Sequence, residues 1–419
     1  MLGAMSGERR QSYDVVIAGG GFAGRTLALV LAKQAPQGFR IALVDAEPPT
    51  TGVGGPEDTR ALALSAATKS LMSVLGLWQM LAPNAQPICS IEITDSPLQA
   101  DLRPHFLGFD DELKGGEPSA YIAEAGDLRR VLAAAVAEEK AIEALAPETV
   151  NDFVVSPFAV AAKLGRGGEI DARLLVAADG KRSRLRERAG IKCVGWSYPQ
   201  MGIVTTVAHE KPHRGKAVQH FLPAGPFAIL PLTGNRSSIV WTEGAAQGEA
   251  IMAMSEADFV AELTNRFGHR LGEIALAGPR QSFPLDLQIA RSFVADRLAL
   301  IGDAAHVVHP LAGQGLNIGM RDVAALAETI VESARLGLDI GGAAQLERYE
   351  RWRRFDSAFS AAVMDGLNRL FSNDSAPLRV LRDLGLGLVD RAPLVKRFLV
   401  REAAGRTGHV PRLLRGESL

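Results

Sequence analysis

Four short stretches of this chain carry residue types spaced for chemistry: "GGGFAGR" at 19–25, "DG" at 179–180, "GD" at 302–303, and the run "IGDAAHVVHPLAGQGLNIGMRD" at 301–322 that contains it. Gly19, Gly21 and Gly24 stand in G-x-G-x-x-G spacing. One glycine of such a set permits a tight turn, one lets the backbone close on a pyrophosphate, and one packs a helix against a strand. Asp45, about twenty residues later, can accept hydrogen bonds from ribose hydroxyls. In the run at 301–322, small residues, Pro310 and the paired Gly313 and Gly315 displace the usual helix formers. A backbone that bare suits the close approach of a ligand.

These groups need elements to hold them. Residues 13–18 form a short apolar, β-branched run, residues 22–34 have helical periodicity, and "RIALVD" reads as a second strand ending at Asp45. That β-α-β order turns a weak glycine motif into a dinucleotide site, with phosphates at the helix N-terminus. The stretch "ARLLVAADGKRSRLRERA" predicts a strand ending at Asp179-Gly180 and a helix opened by Ser183 and Arg186, and "RLALIGD" predicts a strand delivering Asp303. Ligands of open α/β sheets bind outside the carboxyl ends of strands, so three strand ends are expected to converge on one site.

Bulk properties narrow the class. With 419 residues, 47% hydrophobic, and a formal net charge of -1, the chain reads as a soluble globular protein of two domains, without a nucleic-acid-seeking surface. Cys89 and Cys193 lie far apart without metal-ligand spacing, which argues against a disulfide framework, a metal site or a redox pair and for a reducing, cytoplasmic setting. No apolar stretch reaches membrane-spanning length and "MLGAMSGERRQ" lacks the core of a signal peptide. Residues 1–11 are left outside the fold.

The glycine fingerprint, the internal Asp-Gly and the later Gly-Asp, in that order, resemble the flavoprotein monooxygenases of the para-hydroxybenzoate hydroxylase type. Closer still, "DTRALALSAATKSLMSVLGLW", "GPFAILPLTGNRSSIVWTE", "GDAAHVVHPLAGQGLNIGMRDVAALAE", "LERYERWRR" and the C-terminal "DGLNRLFSNDSAPLRVLRDLGLGLVDRAPLVKRFLVREAAG" are similar to the ubiquinone-biosynthesis hydroxylases. The resemblance implies FAD, with electrons from NAD(P)H or a ferredoxin-type carrier. It also implies hydroxylation of a polyprenylated phenol by dioxygen through a flavin C4a-hydroperoxide. It places Asp303 on the ribityl or ribose part of FAD, and lets backbone at Gly313, Gln314 and Gly315 approach the pyrimidine edge of the flavin. Pro310 stands beside the ring in this reading, and Asn317 with Arg321-Asp322 holds loop and helix together. Arg60 and Arg129 match FAD-touching arginines, although Arg60 also reads as a surface partner of Asp58 and Arg130 competes with Arg129 for register. Asp179 and Gly180 have a role near FAD or are chiefly structural. His306 and His309 are candidate general bases, set against the commoner reading of loop histidines satisfied locally.

The resulting architecture is α/β: a Rossmann-like FAD-binding domain over 12–85, 118–190 and 285–345, interleaved with an antiparallel-sheet substrate domain over 86–117 and 191–284, and a C-terminal helical segment over 346–419. The sheet would roof a pocket whose candidate lining is Phe221, Leu222, Phe227, Leu230, Pro231 and Trp241, residues that a strand core would also explain. The locally basic C-terminal segment reads as an amphipathic cap, or as a surface for anionic lipid at the inner membrane face or for partner enzymes of ubiquinone biosynthesis. Two other functions stay open: a flavin-binding scaffold with little activity, and a flavin-dependent prenyl-chain reductase. A flavin halogenase is disfavoured, since the tryptophans at 78, 196, 241 and 352 form no W-x-W pattern.

Overall fold

The computed structural model describes residues 11–48, 58–95, 105–110, 116–309, 313–371, 401–402 and 404–419. Pro310 and most of the quoted C-terminal stretch, residues 372–400, lie outside them.

An eight-stranded sheet with a parallel centre and antiparallel strands beside it carries the first half of the architecture. Strand Ser12–Ala18 lies between Ile41–Val44 and Glu169–Ala177, and Leu298–Leu300 pairs with the outer side of Glu169–Ala177, all parallel. These strands are nearly uninterrupted apolar runs because both faces are covered: Val15, Val16 and Ile17 are fully buried, as are Leu174 to Ala177 and Leu298 to Leu300. Helices Phe22–Gln34 and Gln314–Arg335 pack on this sheet and on each other. The three strands predicted to deliver site residues are thus sheet neighbours, and their carboxyl ends stand side by side at Ala18, Ala177 and Leu300. Helix Arg184–Arg188 begins where Ser183 and Arg186 predicted: the Ser183 hydroxyl caps it by accepting from the Arg186 N–H at 3.0 Å.

A second, nine-stranded sheet is largely antiparallel and built around the seventeen-residue strand Cys193–His209. Lys216–Leu222, Gly225–Leu232 and Arg236–Gly244 follow as consecutive antiparallel neighbours. The sheet also recruits Ser90–Asp95, which runs parallel to Lys216–Leu222, and Gln281–Ala290, which pairs with Cys193–His209 across the expected boundary at 284. Composition changes smoothly there, so only the ladder reveals that one strand continues. Helix Glu256–Phe267 covers one face of this sheet, opened by Ser255, whose hydroxyl accepts from the Asp258 N–H at 3.2 Å. A small three-stranded sheet of Ala61–Ser65, Ala120–Glu124 and Gln86–Pro87 packs on the opposite face.

The C-terminal residues return to the parallel-sheet side. Leu413 and Leu414 are buried in its core, and the Trp352 indole N–H donates to the His409 carbonyl at 2.7 Å. Burying two leucines contributes roughly 3–6 kcal/mol, which makes residues 404–419 a cap on this core.

Candidate functional site

The glycine turn shows why each glycine is there. Gly19 has φ +114°, and a Cβ on it would meet the Ala178 carbonyl oxygen at 2.2 Å. A Cβ on Gly24 would meet the Gly19 carbonyl oxygen at 1.9 Å, so a bare surface lets the helix close on the turn. At Gly21, the N-cap of helix Phe22–Gln34, a Cβ would meet nothing within 4 Å. That helix has no capping side chain and no acid in its first turn, which leaves its N–H groups and positive dipole end open to an anion. A cavity of about 450 Å³ opens in front, and Gly19, Gly21, Asp45, Arg129, Asp179 and Gly180 all line it. Arg182 and Arg184, which the sequence reading did not single out, add two cations to its wall.

Asp45 is held by the next helix turn: Arg25 donates to its Oδ2 at 3.2 Å, and a Cβ on Gly20 would meet the same oxygen at 2.0 Å. Asp179 has one oxygen accepting weakly from the Leu185 N–H at 3.4 Å and the other buried without a partner. Arg186 joins two strand ends by donating to the Ala304 carbonyl at 2.8 Å and to the Lys181 carbonyl at 3.0 Å. These features fit a dinucleotide: a glycine cradle, an uncapped helix N-terminus, cations on the wall and a carboxylate at the far end.

Asp303, Arg60, Gly313, Gly315 and Asn317 do not line that cavity; they belong to a second group along the same cleft. Asp303 is open to solvent but hemmed in by protein, and this crowding raises its carboxyl pKa while His306, Arg60 and Lys181 pull it down. Asp58 unites the two arginines: Arg60 forks it with contacts of 2.8 and 2.7 Å, and Arg129 reaches it at 3.2 Å. Hydrogen bonds from Arg60 hold the Asp58 carboxyl below its ordinary range. The surface ion pair considered for Arg60 is therefore present, and it orients the guanidinium.

Gly313 has φ +62° and caps helix Gln314–Arg335; a Cβ there would come within 2.8 Å of the Ala63 Cβ. Gly315 has more room, with Val308 at 3.9 Å. Asn317 is buried and committed to protein: its amide donates to the Ala63 and Gly313 carbonyls at 2.8 and 3.3 Å, and its oxygen accepts from the Ser65 N–H and the Thr68 hydroxyl at 3.0 and 2.7 Å. It fastens the loop and helix to strand Ala61–Ser65.

The two histidines differ. His306 Nε2 meets the buried Asp322 carboxylate at 2.5 Å, and Asp322 also takes the Arg353 Nε at 2.8 Å and the Gly302 N–H at 3.0 Å. Burial would raise the Asp322 pKa, but His306 and Arg353 outweigh it and hold the carboxyl below its ordinary range. His306 is a structural partner beneath the Asp303 loop. His309 is fully buried with neither ring nitrogen partnered among the described residues, its ring edge-on to Tyr198 at 5.3 Å. Burial pushes its pKa down to about 4. Arg353 pairs locally with Asp356 three residues on, but its bond to Asp322 spans thirty-one residues and left no local signal.

Of the six residues read as pocket lining, strand alternation divides them. Leu222, Phe227 and Trp241 belong to the core under helix Glu256–Phe267, and Pro231 shares the Phe227 face. Leu230 faces the small sheet with Ala63 and Ile122, and Phe221, paired with Pro226, shares that side. Only these two are on the side of the sheet turned toward the cleft.

Comparison with known proteins accords with this geometry. The family described as FAD binding domain matches residues 12–365. The chain is 44% identical over 420 residues to Ubiquinone hydroxylase UbiL of Rhodospirillum rubrum, covering 100% of this chain and 96% of that one. It is 33% identical to 3-demethoxyubiquinol 3-hydroxylase of Escherichia coli, covering 94% and 99%. It is 32% identical to mitochondrial ubiquinone biosynthesis monooxygenase COQ6 of Rattus norvegicus, covering 94% and 91%. Among solved structures, p-nitrophenol 4-monooxygenase PnpA of Pseudomonas putida shares the fold, with a TM-score of 0.76 at 19% identity over 95% of this chain and 99% of that one.

Proposed function

The chain belongs to the FAD-binding family of flavin-dependent monooxygenases, and from that premise we propose that it hydroxylates the ring of a polyprenylated phenol on the route to ubiquinone. The observation that carries this reading is the full-length relation, at 44% identity, to a protein named ubiquinone hydroxylase. Bound FAD, when reduced, would supply the oxygen chemistry: one atom of dioxygen goes to the ring and the other leaves as water, with two electrons from the donor and two protons from donor and solvent.

The chain's own residues bind, orient and exclude water. Gly19, Gly21 and Gly24 bring backbone N–H groups to the pyrophosphate, with Arg182 and Arg184 adding charge. Asp45 would accept from the adenosine ribose and Asp303 from the ribityl or ribose part of FAD. Arg129, on the cavity wall with Asp179 and Gly180, would meet the phosphate side, and Arg60, oriented like it by Asp58, would meet FAD phosphate or steady the loop beside the isoalloxazine. Gly313, Gln314 and Gly315 present the N-terminal end of a twenty-two-residue helix, whose dipole favours negative charge developing on the flavin ring. In this reading 12–85, 118–190 and 285–345 hold the cofactor and 86–117 and 191–284 cover the ring to be hydroxylated, except that strand Gln281–Ala290 carries the covering sheet past 284; Phe221 and Leu230 are the members of the proposed lining that face it. Electrons come from reduced nicotinamide or a ferredoxin-type carrier.

The test is turnover. The purified protein, reduced anaerobically by each donor in turn, is exposed to isotopically labelled dioxygen with a short-chain polyprenylphenol. A product heavier by one labelled oxygen atom supports the reading and identifies the ring position and the donor. A yellow protein that yields only peroxide with every phenol sinks it.

A further inference from the structure

Helix Ala343–Phe371 packs inward through Leu346, Tyr349 and Arg353 and turns a different surface outward. On that surface Phe355 is 79% exposed, Phe359 50% and Val363 43%. The three stand one turn apart at i, i+4 and i+8, and the two phenyl rings stack at 6.4 Å. Single exposed apolar residues need no explanation, but an aligned aromatic row marks an interaction surface.

The charge around this row is mainly positive, although Asp356 lies beside Phe355 and Glu347 is exposed one turn before Arg351. Arg351 and Arg354 are exposed beside it, and neither takes part in the ion pairs described for this helix, Arg348 with Glu332 and Arg353 with Asp322 and Asp356. The carboxylates of the same stretch are engaged elsewhere: Asp356 takes Arg321 and Arg353, and Asp365 accepts from the Tyr198 hydroxyl at 2.6 Å. Where the row begins, a cavity of about 500 Å³ is lined by Arg321, Arg348, Arg351, Arg353 and Phe355, with Asp356 the acid among four arginines. Apolar row and cationic cavity share Phe355, an arrangement complementary to acyl chain and headgroup phosphate of one lipid.

We propose that this face docks on a bilayer bearing anionic phospholipid, with phosphate at Arg351 and the neighbouring cavity and with Phe355, Phe359 and Val363 at the acyl boundary. No helix among the described residues is long and apolar enough to cross a membrane, so the contact is interfacial. The far end of the row leads toward the cleft: Asp365 holds Tyr198, whose ring touches His309, the residue before the run to Gly313. The inference rests on the hydroxylase reading only for what the bilayer delivers, a phenol with a lipid tail.

Flotation of the flavin-loaded full chain with vesicles tests it. The protein is expected to float with phosphatidylcholine–phosphatidylglycerol vesicles, much less with phosphatidylcholine alone, and to be released as salt rises. Phe355→Ser with Phe359→Ser is expected to lower vesicle partition roughly tenfold, and Arg351→Glu with Arg354→Glu to abolish the preference for anionic lipid, both retaining flavin absorbance. If a pair fails to retain flavin, the other pair and the salt titration of the unaltered protein decide. Equal flotation by the variants, no flotation by the parent, or a parent dimer that the phenylalanine changes split apart would overturn it. Vesicle binding without hydroxylation of any phenol would leave the docking face standing and remove the hydroxylase reading. Turnover without vesicle binding would do the reverse.

Discussion

The two ends of the cleft are built on opposite principles. At the glycine turn the determinant is the absence of side chains: Gly19 and Gly24 bring backbone to within distances that no Cβ could occupy. Around Asp303 the determinant is buried charge: Asp322 holds His306, Arg353 and the Gly302 N–H in one network beneath the loop. The first end is therefore sensitive to added atoms and the second to removed charges. A turn that must receive a polyanion is best made of N–H donors at fixed positions, whereas a loop that must hold one carboxylate in place needs a rigid base.

The largest effect should come from breaking the charged base. Asp322→Ala takes from the buried Arg353 one of its two carboxylates, leaving Asp356, and strips His306 and the Gly302 N–H of theirs; it is expected to cost about 3 kcal/mol, read as a drop in the urea midpoint. Asp322→Leu with Arg353→Met removes both charges and should recover much of that loss; no recovery would mean that the network is not what holds the loop. Next comes His309, buried and neutral with its pKa near 4 against an ordinary 6.5. A depressed histidine contributes stability that is complete above its unfolded pKa and is lost as pH falls from about 6.5 toward 4. Between pH 7 and pH 5 this group accounts for about 2 kcal/mol, and His309→Phe should flatten that slope in unfolding measurements at the two pH values.

The glycine end is tested by adding one carbon. Gly24→Ala improves helix propensity by about 1 kcal/mol, yet its Cβ would collide with the Gly19 carbonyl. FAD affinity, read by quenching of flavin fluorescence, should fall on the order of tenfold. A helix made more stable with unchanged affinity would show that the close approach is dispensable. The smallest effect sharpens the contrast by touching neither mechanism. Ser65→Ala removes the hydroxyl that caps helix Ala66–Val74 and should lower the melting temperature through a loss of about 1 kcal/mol, leaving flavin affinity intact.

Legibility in the sequence followed the same division. The turn, the helix behind it and Asp45 could be read because each is set by neighbours within thirty residues, and the structure places helix Phe22–Gln34 over the expected residues. Asp179 and Asp303 were readable as strand ends, and their adjacency followed from the parallel order. The union of Arg60 and Arg129 on Asp58 was half visible, since the Asp58–Arg60 pair is local and the Arg129 contact is not. For Leu222, Phe227, Pro231 and Trp241 the sequence leaves pocket lining and strand core equally open, and they lie on the side of the sheet away from the cleft. A strand's alternation says which residues share a face but never which face meets which neighbour.

What the sequence determined by itself was everything carried by short-range geometry: the dinucleotide turn, the order of strands and helices, and the family resemblance embedded in both. Tertiary structure alone decided the Asp322–His306–Arg353 network, the commitment of Asn317 to strand Ala61–Ser65, the sides of the large sheet, and the exposure of Phe355 and Phe359. The reason is physical. A turn or helix start is a property of consecutive dihedrals, whereas a buried ion pair or an open helix face depends on what the rest of the chain brings alongside it.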